Sequence, residues 1–164
     1  MFSSKSDQHY TPVSLLNKVT DFFLGTIDLD PCSNSFANPH TPARIHYTQE
    51  IDGLIQPWIG RVFVNPPYSD IQPFLSKAKA EFRDGNAKEI LILVPARTDT
   101  QWHYSMRNFS RCYITGRLKF VNPENKGRSA PFPSMLFYLG YRVEKFCDFW
   151  ESTGECFVPK GVQL

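Results

Sequence analysis

The sequence predicts an α/β fold: a mostly parallel sheet with helices on both faces and a late antiparallel hairpin. Three observations carry that reading. The continuous apolar run Ile90-Leu91-Ile92-Leu93-Val94 has the character of a strand covered on both faces. Apolar residues elsewhere recur at helical spacing, so strands and helices alternate. Turn residues such as Gly25, Gly85 and Pro95 punctuate the segments. With 164 residues, 41% of them hydrophobic, the chain fits a single domain over 1–164 that buries a core without staples.

In order, residues 1–10 read as loose, and Thr11-Pro12 as an N-cap with proline at the first helical position. Val13, Leu16, Val19 and Phe23 then give an amphipathic helix over 12–24, closed by Gly25. Thr26-Ile27-Asp28-Leu29 is a short strand running into Asp30-Pro31. Residues 31–60 hold four prolines and little periodicity, and read as a long, partly irregular connection. Arg61-Val62-Phe63-Val64 is a compact strand that stops at Asn65-Pro66-Pro67-Tyr68. Ser69 or Asp70 caps a helix whose buried face is Ile71, Phe74, Leu75, Ala78 and Phe82. After the 90–94 strand come a helix around 100–109 and strands near 112–115 and 117–121. A polar loop (122–133), a strand at 134–140, a helix near 142–152 and a tail strand complete the chain. No helix separates 117–121 from 134–140, so these two form the expected antiparallel hairpin.

Cys32, Cys112, Cys147 and Cys156 show no Cys-x-x-Cys spacing, and His9, His40, His46 and His103 show no metal spacing, so no metal site is predicted. Reduced, buried thiols are the plainer expectation, and the histidines are expected either in solvent or supporting residues that touch a ligand. No apolar run is long enough for a signal peptide or a membrane span, and a soluble cytoplasmic protein is expected. Charge is polarised: 21–56 carries one basic residue, Arg44, against five acidic ones, whereas 97–128 carries seven basic residues against Asp99 and Glu124. A cationic ligand at one end and a polyanion at the other fit that pattern, although ordinary surface scatter also produces it.

The strongest signal is Asn65-Pro66-Pro67-Tyr68 at the end of a buried strand. In open α/β sheets, ligands bind beyond the carboxyl ends of the strands. Two prolines fix the backbone and remove two N–H donors, so the turn presents carbonyl oxygens beside the asparagine amide. Methylating a planar aromatic amine needs that equipment. Two acceptors, the Asn65 side-chain oxygen and the Pro66 carbonyl, hold the amine's two hydrogens and draw its nitrogen toward tetrahedral geometry. Tyr68 stacks on an extruded base. A stiff strand-ending turn is the plain alternative, and the tetrad alone does not separate DNA adenine from an RNA base or a glutamine amide.

Further signposts come in a specific order: Tyr10-Thr11-Pro12, Asp28-Leu29-Asp30-Pro31-Cys32-Ser33, Asp52-Gly53-Leu54, Trp58 and Val62–Ser69. Leu93–Thr100, Trp102, Gly116-Arg117-Leu118-Lys119-Phe120 and Pro133–Phe137 follow. Over nearly its whole length the chain resembles the phage-type DNA N6-adenine methyltransferases (Dam-like). The resemblance implies an abbreviated Rossmann-like fold that uses S-adenosylmethionine on DNA. It places Tyr10, Thr11 and Pro12 at the cofactor's methionine end and Asp30, with Pro31 and Cys32, at its amino group. It places Asp52 at the cofactor's adenine ring, and Asn65 between cofactor and target. DNA contact falls to Arg97, Thr98, Lys126 and Arg128. The resemblance also implies a phage or prophage origin, with protection from host restriction (the restriction-modification context) as the role.

The chain departs from the family in two places. The loop after the first strand, Pro31-Cys32-Ser33-Asn34-Ser35-Phe36, lacks the usual glycine, and Asp30 and Asn65 are too close for two full strand–helix units. No residue is assigned to the cofactor ribose. Trp102 is read as core, with a place lining the pocket as its alternative, and Tyr104, Phe132 and Phe149-Trp150 are read as core. An RNA or protein-glutamine methyltransferase, or an inactive DNA-binding remnant, are the alternatives. A monomer and a homodimer are equally open.

Overall fold

The computed structural model describes residues 9–121 and 129–161. In chain order the elements are α1 (Val13–Phe22), β1 (Ile27–Asp30), β2 (Ala43–His46), β3 (Gly60–Val64), α2 (Ile71–Arg83), β4 (Ala87–Pro95), α3 (Gln101–Ser105), β5 (Ser110–Ile114), β6 (Ser134–Leu139), α4 (Val143–Trp150) and β7 (Gly154–Phe157). The strands form one sheet in the order β2-β1-β3-β4-β6-β5-β7.

Side-chain alternation along the central strands builds two cores. Ile90, Ile92 and Val94 of β4 face Val62 and Val64 of β3 and the α2 residues Ile71, Phe74, Leu75, Ala78 and Phe82. Leu91, Leu93 and Phe63 face the opposite way, onto Leu15, Leu16, Val19 and Phe22 of α1 and Phe146 and Trp150 of α4. Helices therefore cover both faces, and a β4 buried on both sides needs its unbroken apolar run. Val13, expected on the buried stripe of α1, lies in the first turn and is exposed. Leu24 and Gly25, both at positive φ, then turn the chain into β1.

The sheet is not mostly parallel. Three pairings are parallel (β2–β1, β1–β3, β3–β4) and three antiparallel (β4–β6, β6–β5, β5–β7). The cause is local: among the described residues no helix lies between β5 and β6 to carry a parallel crossover. β6 slots between β4 and β5 instead. The predicted hairpin strand near 117–121 is absent. Lys119 makes a single bridge to Ser129, and Val121 makes one to Tyr10. Tyr10, expected in a loose segment, is thereby pinned.

β2 was not predicted, because an edge strand reading Ala-Arg-Ile-His, half exposed, has no buried face to mark it. Cys112 of β5 lies opposite Cys156 of β7, all four cysteines are free thiols, and burial pushes the Cys112 thiol up. Tyr104 is 61% exposed and not core, whereas Trp150 is fully buried. Among the described residues no helix is long and apolar enough to cross a membrane.

Candidate active site

β1 has β2 on one side and β3 on the other, so the connections leaving β1 and β3 diverge and open a crevice beyond their carboxyl ends. A cleft of about 520 Å³ lies there. Among the residues singled out from sequence, Tyr10, Thr11, Asp30, Pro31, Cys32, Asp52, Asn65, Pro66 and Pro67 line it, while Pro12, Tyr68, Arg97 and Thr98 do not. Lys126 and Arg128 lie outside the described residues.

Asn65 follows the last residue of β3. Its Nδ2 donates to the His9 carbonyl (2.6 Å) and to Thr11 Oγ1 (3.1 Å). A carbonyl only accepts, so the amide orientation is fixed and a ligand meets Asn65 through its oxygen. The Pro67 carbonyl accepts from Asp70 N–H (2.9 Å) in the 3-10 turn Tyr68–Asp70 that leads into α2. The Pro66 carbonyl takes no part in that bond. Asp70 precedes α2 without a side-chain capping bond.

Asp30 ends β1 and is only 4% exposed. Burial pushes its pKa up to about 6, against the opposing pull of the Cys32 N–H, the nearby His46 and the Thr41 hydroxyl. The Cys32 thiol, itself pushed up by burial and by Asp30, donates to the Asn65 carbonyl oxygen (3.1 Å) and ties the loop after β1 to the tetrad. Tyr47 N–H donates to Asp30 O (2.9 Å), and Ser33 N–H donates to Tyr47 O (2.8 Å), joining the same loop to the end of β2. Thr48, also at that end, is 9% exposed and lines the cleft, and its Oγ1 is buried without a hydrogen-bond partner.

Tyr68 stands beside the cleft. The His9 ring stacks on it (centroids 4.5 Å apart, planes at 26°), and Phe132 meets it edge-on at 5.2 Å. Phe132 is thus half-buried in an aromatic cluster with Tyr68 as well as against the core. His9 and His40, expected in solvent or in a supporting role, both line the cleft. His40 stacks on Tyr10 (5.2 Å), and its Nε2–H donates to the Thr11 carbonyl (2.6 Å).

A family model described as DNA N-6-adenine-methyltransferase (Dam) matches residues 1–145. The chain belongs to this family. A relative named DNA N-6-adenine-methyltransferase, from Haemophilus phage HP1 (strain HP1c1), is 30% identical over 125 residues, covering 74% of this chain and 70% of the relative. The acceptor geometry at Asn65 and the buried carboxylate at Asp30 are therefore read in a Dam-family chain.

The glycine missing from the loop after β1 has a counterpart elsewhere. A Cβ on Gly53 would sit 1.9 Å from the Pro31 carbonyl oxygen, so the 52–54 turn meets the loop after β1 at backbone distance. Trp58, fully buried, donates from Nε1 to the Gly53 carbonyl (2.8 Å) and holds that turn in place. Asp52 sits at the rim at φ 60, its carboxylate accepting from Leu54 N–H (3.1 Å). Gly53→Ala will lower stability by about 2 kcal/mol, read from thermal melting, because two backbones must separate. The sequence alone shows Gly53 only as part of the Asp52-Gly53-Leu54 signpost, without a role. Only the approach of two loops distant in sequence reveals one.

Arg97, Arg117 and Lys119 fall at the same end of the sheet, whereas Arg107 and Arg111 lie at the start of β5, the opposite end. Val94 of β4 and Tyr113 of β5 both pair with Met135, so the segments after both strands emerge side by side. Arg97, Arg117 and Lys119 are exposed there. Ala96 N–H donates to the Pro133 carbonyl (2.8 Å), next to the Phe132 that touches Tyr68.

Proposed function

We propose that this chain, one Rossmann-like domain, transfers a methyl group from S-adenosylmethionine to the exocyclic N6 amine of an adenine turned out of DNA. The observation that supports this most is the locked Asn65 amide. With both N–H groups engaged by His9 and Thr11, it offers an acceptor, at the edge of a cleft whose floor holds a buried carboxylate.

The chain's residues fit the cofactor. Asp30 suits an ammonium group, since an ionised partner relieves the burial that raises its pKa. The orphaned Thr48 hydroxyl, at the end of β2, suits a ribose hydroxyl, the contact for which the sequence offered no residue. Asp52 and Leu54 line the cleft at its rim, which supports assigning the cofactor's base to them. When bound, S-adenosylmethionine supplies a methyl group activated on a sulfonium.

Asn65 Oδ1 and the Pro66 carbonyl hold the two amine hydrogens and turn the nitrogen lone pair toward the cleft. So held, the amine would face the activated methyl group that the cofactor supplies and would become cationic on accepting it. Its proton is then acidic and leaves to water, so no side chain need remove it before attack. Arg97, Thr98, Arg117 and Lys119 hold phosphates beside Tyr68, and Lys126 and Arg128 are further phosphate contacts expected from the sequence.

The test is transfer of labelled methyl from S-adenosylmethionine to unmethylated DNA, followed by digestion to nucleosides. N6-methyladenine is the expected product. Label in RNA or in protein glutamine, with none in DNA, would overturn the proposal. Failure to bind cofactor as well would point to an inactive DNA-binding protein.

A further inference from the structure

His9 presents two features to the two ends of the tetrad. Its backbone carbonyl accepts from Asn65 Nδ2, while its imidazole lies flat on the Tyr68 ring at 4.5 Å. The same imidazole meets Phe120 edge-on (5.6 Å, 85°) and Phe132 at 6.1 Å and 68°. A planar nitrogen heterocycle is thus enclosed by one parallel ring and two edges, an arrangement suited to a nucleobase. His9 lines the cleft, and Tyr68 stands behind it.

Resting on the reading above, we propose that the His9 imidazole occupies the stacking position of the target adenine and swings out when the base enters. Phe120 and Phe132 then become the edge walls of the base pocket, with Tyr68 as its floor. The backbone need not move. Tyr10 holds the segment to Val121 by two hydrogen bonds (3.1 and 2.9 Å), and Asn65 keeps its bond to the His9 carbonyl. Rotation about the His9 side-chain torsions clears Tyr68, and such rotations are fast. The imidazole keeps the aromatic walls covered between substrates and competes with every base for the same face. Stacking on one aromatic ring is worth on the order of tenfold in affinity, which sets the size of that competition.

The experiment uses the full chain and a duplex carrying adenine, or 2-aminopurine in its place, at the position the wild-type protein methylates. His9→Ala should raise kcat/KM for the adenine duplex several-fold, through KM, and raise the fluorescence of the extruded 2-aminopurine. His9→Trp, a larger ring on the same face, should lower kcat/KM about tenfold, again through KM. Both substitutions leave the backbone bonds in place, and thermal melting checks that both variants fold. A fall in kcat/KM for His9→Ala, or equal KM for all three proteins, overturns the inference: the ring then props Tyr68 or lies clear of the base. Absence of N6-methyladenine from the wild-type protein overturns the underlying function and this inference with it.

Discussion

Asn65→Ala will fold and will slow methyl transfer to DNA by about 10²- to 10³-fold, the size of effect seen when one preorganised polar partner of a reacting centre is removed. In the native protein His9 O and Thr11 Oγ1 take both amide hydrogens, leaving the oxygen for the amine. Asn65→Asp separates the two duties of this side chain. It keeps the acceptor but loses both donors, and it sets a carboxylate against the His9 carbonyl. Its melting temperature should therefore fall further than that of Asn65→Ala, while its residual transfer stays higher. Single-turnover rates with saturating cofactor and DNA, beside melting curves, decide both points. Equal residual rates would mean that the asparagine oxygen does not touch the amine.

Asp30→Asn will do the opposite to stability and binding. The folded pKa of Asp30, about 6, lies above its ordinary value of 3.8. Its contribution to stability is therefore present in full below about pH 4 and lost as pH rises through about 6. By pH 8 the buried charge costs on the order of 3 kcal/mol. An asparagine oxygen can still accept from Cys32 N–H, and the Thr41 hydroxyl can rotate to accept from the new amide. The unliganded variant should melt several degrees higher than wild type at pH 8, and the gain should vanish near pH 4. Affinity for S-adenosylmethionine should meanwhile fall about 10²-fold, since the carboxylate is the proposed partner of its ammonium. Wild-type affinity should weaken as pH drops below about 6, because the protonated carboxyl no longer pairs with a cation. Calorimetric titration across pH 5–8 measures this (about three pH units), and a flat profile would remove Asp30 from the cofactor site.

The sequence made legible those parts of the fold that one segment alone determines. The apolar stripe of α2, the doubly buried β4 and the stop at Pro66-Pro67 are each written within a dozen residues or fewer, and the structure follows them. Asp30 and Asn65 could be matched because each closes a recognisable strand. What escaped depends on partners remote in sequence. β2 takes its identity from pairing with β1, not from its own pattern. The 117–121 segment has strand composition but only single bridges, because β6 pairs with β4 and β5. Thr48, Gly53 and His9 lie in stretches without periodicity, and only the folded loops bring them to the cleft. A lone histidine carries no spacing signal, so the sequence leaves His9 open between solvent and a supporting role.

The place of β6 between β4 and β5 has a consequence for how the chain is made. β4 pairs with β3 on one edge as soon as both exist, but its other edge waits for a strand encoded tens of residues later. On a ribosome that interval lasts seconds. Through it the unbroken Ile90–Val94 segment presents open backbone groups and apolar side chains, the combination that recruits foreign strands. A nascent chain stalled or cleaved before Ser134 should accordingly sediment with aggregates, while the full-length product stays in solution. Messages that stall translation between β4 and β6 would give insoluble fragments, and a chaperone acting at the ribosome would matter most in that window.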